Sequence, residues 1–123
     1  MGLDQRFTFK HSINNKELHI DMRKAHDIHK CLIPDGNLYG VKELQVKDLE
    51  NLFRVVCQHL TEVKSNFDML CKLYKAGERI HNSEHAYMLD QYMAKEDYEE
   101  LYKMLSRTLA SKDHIEVVYG YNG

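Results

Sequence analysis

Apolar and polar side chains alternate at the start of the chain, where Leu3, Phe7 and Phe9 are set against Asp4, Arg6, Thr8 and Lys10. A period of two predicts a strand that buries one face. Residues 11–15 are polar apart from Ile13 and read as a turn, and 17–20 are either a second short strand or the lead-in to a helix. Asp21 is suited to cap that helix, because a carboxylate there can accept from the free amides of the first turn. The expected helix runs to about Leu32 with Met22, Ala25, Ile28, His29 and Leu32 on one side. Pro34-Asp35-Gly36-Asn37 then reads as a turn. A brief strand fits 38–41.

From about Lys47 the chain carries its clearest helical stripe: Leu49, Leu52, Phe53, Val56, Leu60 and Val63. Ser65-x-x-Asp68 has the form of a capping box and predicts a separate helix using Phe67, Leu70, Cys71 and Tyr74, ended by Gly77. Ser83 can cap a shorter helix through Met93, and a last helix presents Tyr98, Leu101, Tyr102, Leu105 and Leu109. The tail returns to alternation, with Ile115, Val117, Tyr119 and Tyr121. The two best strands therefore lie at opposite ends. The economical packing is a single α+β domain over residues 1–123, with a small antiparallel sheet of N- and C-terminal strands covered by four to five helices.

Composition narrows the picture. A chain of 123 residues with 43% hydrophobic side chains and one proline can bury a core without staples. No apolar run nears the roughly 20 residues of a membrane helix. A formal net charge of −2 argues against general nucleic-acid binding, which relies on a basic surface. The three cysteines, Cys31, Cys57 and Cys71, are odd in number and widely spaced, so they read as small core residues rather than a disulfide framework.

The densest ionisable cluster is Arg23-Lys24-Ala25-His26-Asp27-Ile28-His29-Lys30. At helical spacing Arg23, His26, Asp27 and Lys30 share a polar face, while His29 falls on the inner side. Arginine and lysine there could grip a phosphate or carboxylate, or simply form a solvated, ion-paired surface. His26-x-x-His29 and His81-x-x-x-His85 have spacings that could suit a metal ion, but eight histidines make chance pairs common. No nucleophile elbow or phosphate loop is present. Glu96, Asp97, Glu99 and Glu100 form an acidic stretch, either a charged docking face or acids favoured by the dipole at a helix start. Tyrosines such as Tyr39 and Tyr92 offer flat faces for stacking a base or for an interface.

Met1-Gly2-Leu3-Asp4, the 23–30 string, Tyr39 and the amphipathic stretch 46–60 together resemble short bacteriophage and prophage proteins of unassigned function. Those proteins open Met-Gly-Leu-Asp and carry an Arg-Lys-Ala-x-x-Ile-His-Lys helix. This chain departs from them at Gln5-Arg6, where aromatics are usual, and at Met22, which takes the place of a tryptophan. The resemblance implies a phage accessory protein of the host cytoplasm, of a kind that often counters host defence. The leading expectation is non-catalytic sequestration of a phosphorylated nucleotide-like signal, with no cofactor and with a homo-oligomer left open. Arg23, Lys24 and Lys30 would hold its charge, Asp4 and His29 would orient it, and Tyr39 or Tyr92 would stack on it. The first alternative is an inhibitor of a host defence protein working through Glu96, Asp97, Glu99 and Glu100. The second is a small metal-dependent hydrolase.

Overall fold

The computed structural model describes residues 2–77 and 83–123. Its elements in chain order are β1 (Asp4–His11), β2 (Glu17–Arg23), α1 (His26–Leu32), β3 (Tyr39–Glu43), α2 (Val46–Lys75), α3 (Ser83–Met93), α4 (Lys95–Ala110) and β4 (Ile115–Asn122). The four strands form one antiparallel sheet in the order β2-β1-β4-β3. The first and last strands meet as expected, from Asp4 opposite Asn122 to His11 opposite Ile115. This is the α+β architecture that the alternation at the two ends implies.

Because strand side chains alternate in direction, the register sorts the sheet into two faces. Phe7, Phe9, Ile20, Met22, Val117 and Tyr119 are buried with Ile28, Leu32, Leu52, Val56, Tyr98, Leu101 and Leu105 of the helices. The opposite face carries Asp4, Arg6, Asp21, Arg23, Tyr39 and Val41, all exposed. A sheet with one solvated face is the usual antiparallel solution.

Two expected boundaries are corrected. Asp21 caps no helix, since the strand continues to Arg23 and α1 begins only at His26. Ile20 and Met22 keep the period of two and are buried opposite Phe7 and Gln5, so the ladder continues where a helix would have exposed one of them. Lys24, at φ +57°, then turns the chain out of the sheet, and its N–H is bonded 2.7 Å from the Leu3 carbonyl. Arg23, His26, Asp27 and Lys30 consequently do not share a helix face. Met22, Ala25, Ile28, His29 and Leu32 are all buried nonetheless, Met22 by way of the strand.

The second correction concerns Ser65 and Asp68, which lie inside a continuous 30-residue helix rather than at a boundary. Val63 and Leu70, one heptad apart, are both buried, so the apolar stripe runs straight through the proposed break. A carboxylate cap operates at the true start instead, where Asp48 accepts from the Gln45 N–H at 2.9 Å. Tyr74, expected to be inward, is 73% exposed at the far end of that helix. Tyr102 and Leu109 are also more exposed than the α4 stripe suggested. Gly77 follows α2 with φ +87°, a conformation that suits a helix stop.

Candidate functional site

The open face of the sheet gathers three of the residues singled out from the sequence. One row across the strands reads Arg23, Asp4, Asn122, Tyr39, and the next reads Asp21, Arg6, Gly120, Val41. Arg23 donates from Nε to Asp4 at 3.0 Å, directly opposite. Arg6 holds Asp21 with two bonds, from Nε at 2.6 Å and Nη2 at 3.1 Å. The hydrogen bond raises the Arg6 guanidinium further above its ordinary range and lowers the Asp21 carboxyl. All four side chains are exposed, so these pairs orient one another without adding much stability.

Between the two charged pairs and the β3 edge lies a hollow of about 520 Å³, lined by Arg6, Met22, Arg23, Val41, Gly120 and Tyr121 among others. Gly120 creates it. A Cβ added there would meet nothing nearer than the Arg6 carbonyl oxygen at 3.9 Å. Tyr39 and Val41, 61% and 74% exposed, stand on the edge strand beside it. Arg6, Asp21 and Gly120 did not stand out in the sequence as site residues. Their outward parity on strands β1, β2 and β4 was the available signal.

His29 belongs to the other face. Nε2 lies 2.8 Å from the Asn37 carbonyl, which can only accept, so the hydrogen sits on Nε2. In the neutral ring Nδ1 then accepts from the Tyr119 hydroxyl at 2.8 Å, and Tyr119 in turn accepts from Gln5 Nε2 at 2.9 Å. The same Gln5 amide donates to the Ala25 carbonyl and accepts from the Ala25 N–H, each at 2.9 Å. From Gln5 through Tyr119 and His29 to Asn37 each donor points the same way. Burial pushes the Tyr119 phenol up to about 12. His29 is therefore a satisfied core residue, with no nitrogen left for a ligand. Gln5 was the missed member, a polar side chain at a buried parity between Leu3 and Phe7.

The remaining expected residues are scattered. Lys24 is exposed beyond β2, where a Cβ on Gly2 would come within 2.8 Å of its Cε. Lys30 is exposed on α1. Tyr92 lies in α3 stacked on Phe67, with ring centroids 3.6 Å apart. Glu96, Asp97, Glu99 and Glu100 do occupy the first turns of α4. Glu99 is held by Lys95 at 2.8 Å, while burial and then Glu100, Glu96 and Asp21 raise the Asp97 carboxyl.

A second polar constellation joins three helices through residues far apart in sequence. Asp27 accepts from the Tyr98 hydroxyl at 2.8 Å on Oδ1 and meets His59 Nδ1 at 3.1 Å on Oδ2. His59 and Tyr98 stack with centroids 3.6 Å apart and planes within 1°. Burial alone would raise the Asp27 carboxyl, but the bonds from His59 and Tyr98 outweigh it and hold it below the usual range. The hint was that His59 falls between Val56 and Val63 on the α2 stripe.

Cys31, Cys57 and Cys71 are free thiols, and burial pushes the Cys31 thiol up, which is the wrong direction for a nucleophile. Among the described residues no three His, Cys, Asp or Glu side chains converge as a metal site, and no helix is long and apolar enough to cross a membrane. His81 of the second histidine pair lies outside the described residues. The fold and surface define an α+β protein with a one-sided sheet. No protein-family model, curated protein or solved structure matches the chain.

Proposed function

We propose that the protein is a non-catalytic binding protein whose open sheet face takes a phosphorylated nucleotide-like ligand. The observation that carries this reading is the hollow over Gly120, bordered by the guanidinium groups of Arg6 and Arg23 and by the exposed Tyr39–Val41 edge. A phosphorylated nucleotide needs cations at one end and a flat apolar bed at the other. Asp4 and Asp21 hold the two arginines in place. Exposed ion pairs of this kind are worth about 0–1 kcal/mol, so a phosphate can recruit the forks at small cost. Of the seven ligand-binding residues expected from the sequence, Asp4, Arg23 and Tyr39 share this face, Arg6 and Gly120 join them, and Lys24, His29, Lys30 and Tyr92 lie elsewhere. The resemblance to phage accessory proteins supports a counter-defence setting, in which a signal nucleotide is sequestered in the host cytoplasm.

Calorimetry against cyclic dinucleotides, nucleoside diphosphates and ADP-ribose derivatives tests the proposal. One of them should bind, and Arg6→Ala or Arg23→Ala should each weaken binding by about tenfold or more, the value of a charged hydrogen bond. No heat from any of these ligands, or undiminished binding by both variants, overturns it.

The acidic start of α4 supports a second reading, an inhibitor that docks a basic host protein. Glu96, Asp97 and Glu100 repel one another enough to help raise Asp97, and a cationic partner would relieve that repulsion. A stoichiometric partner captured from host lysate at low salt and lost at high salt would favour it. Capture unaffected by salt would not.

A further inference from the structure

The two edges of the sheet are built differently. At one edge the Lys24 N–H bonds the Leu3 carbonyl at 2.7 Å, and the register carries the same alternation along β2. The N–H and C=O groups that turn outward there belong to Glu17, His19, Asp21 and Arg23. An ionisable side chain at each outward position guards a strand against pairing with another chain.

β3 lacks that guard. Just beyond its ends, the Leu44 N–H bonds the Val117 carbonyl at 2.8 Å and the Gly123 N–H bonds the Leu38 carbonyl at 2.7 Å. In the register between them Gly40 and Lys42 bond towards β4, so Tyr39, Val41 and Glu43 turn their backbone groups outward. Among the described residues no further strand and no hydrogen bond reaches those outward groups. Tyr39, Val41 and Glu43 are all exposed. The lysine of this strand does not protect it, because Lys42 points to the helix side. Its Nζ donates to the Leu32 carbonyl at 2.8 Å and lies 3.6 Å from Asp48.

We propose that this edge pairs with a second copy of the chain, β3 against β3 and antiparallel, with Val41 opposite its own counterpart. Each facing pair then exchanges both N–H···O bonds, Val41 with Val41 and Tyr39 with Glu43. The register is selected by charge. It sets the Tyr39 hydroxyl, a donor, beside the Glu43 carboxylate, an acceptor, and brings the two valines to about 5.5 Å between Cα atoms. Centring on Glu43 would oppose two carboxylates, and centring on Tyr39 would leave Val41 and Glu43 without strand partners. The strand is thus complementary to itself, which is the reason to assign a second copy as its occupant. Paired residues point to the same side of a sheet, so the two open faces join into one surface with both helix layers beneath it. This association requires no ligand in the hollow and stands apart from that reading.

Sedimentation equilibrium tests the pairing. Wild-type protein at tens of micromolar should show twice the mass of the chain. Val41→Lys and Val41→Glu each set like charges across the two-fold axis and should weaken association about tenfold or more. Their circular dichroism and melts should match wild type, because Val41 is exposed. Mixed in equal amounts, the two variants should associate again, since opposite charges then face each other. Damage within a single chain would not be repaired by mixing. The double variant Arg6→Ala, Arg23→Ala should dimerise as wild type does, which separates association from ligand binding on the open face. A single-chain mass for wild type at several hundred micromolar overturns the proposal and leaves the edge to a strand of a different protein. Association undiminished in both Val41 variants also overturns it, as does a mixture of the two that stays monomeric.

Discussion

The hydroxyl of Tyr119 lies 2.8 Å from Nδ1 of His29, 90 residues earlier in the chain, and ties the last strand to the first helix inside the core. It also accepts from Gln5 on the first strand at 2.9 Å, so one oxygen joins three elements. Tyr119→Phe removes it while keeping the ring that packs on Phe7. Two buried groups, His29 Nδ1 and one Gln5 N–H, would lose their partner. A loss of about 1–3 kcal/mol is expected in urea denaturation. Ligand binding on the open face should stay unchanged, because Tyr119 belongs to the inner face. Undiminished stability in Tyr119→Phe would show that the buried chain of hydrogen bonds contributes nothing.

Asp27 gives the fold an acid-sensitive joint. Its carboxyl is lowered in the folded protein, so its contribution is complete above the ordinary carboxylate value of about 3.9 and is lost as pH falls through the lower folded value. Denaturation midpoints measured from pH 6 down to pH 2 should fall most steeply below pH 4. The Asp27→Asn protein should be less stable at neutral pH and show a shallower acid slope. An identical slope in the variant would remove Asp27 from this role. The side chain is 38% exposed, which keeps the expected gain modest.

Two glycines on neighbouring strands should respond in opposite ways. A Cβ on Gly120 makes only an ordinary van der Waals contact, 3.9 Å from the Arg6 carbonyl oxygen, so Gly120→Ala should leave stability within about 1 kcal/mol of wild type. Gly120→Tyr would fill the hollow and abolish binding there while the protein still folds. Gly40 has φ +154°, and a Cβ there would lie 2.8 Å from the Tyr121 hydroxyl oxygen. Gly40→Ala should cost about 1–3 kcal/mol through strain and overlap. Thermal melts of the three variants, paired with calorimetry, check both halves.

The continuity of α2 is testable at Ser65. A proline in the interior of a helix costs about 3 kcal/mol or more, whereas a helix boundary accepts proline readily. Ser65→Pro should lower stability by that amount with a visible loss of helical circular dichroism. A variant as stable as wild type would restore the two-helix reading of this stretch.

Much of the fold was legible because it is written in local periodicity. The alternation around Phe7 and Phe9 and the alternation around Val117 and Tyr119 mark β1 and β4, and the stripe from Leu49 to Val63 marks α2. The burial of His29 could also be read, since it shares a side with Ile28 and Leu32. What misled was capping chemistry at Asp21 and at Ser65. Both residue types favour a helix start, but each sits where burial of its apolar neighbours continues the existing element: Met22 in the strand, Val63 and Leu70 in the helix. Packing outweighs a cap, which is worth only about 0.5–2 kcal/mol.

The candidate sites were less legible, for a different reason. By itself the amino-acid sequence determined most of the buried positions and the kind of element they build, because a period of two or 3.6 is a property of neighbouring residues. Only the tertiary structure decided that Asp4 faces Arg23, that Gln5 reaches Tyr119, and that Asp27 meets His59 and Tyr98. Strand register and helix packing set those meetings across separations of 19, 114, 32 and 71 residues. A polar side chain carries no local mark of its distant partner, so these contacts appear only once the sheet has closed and the helices have packed on it.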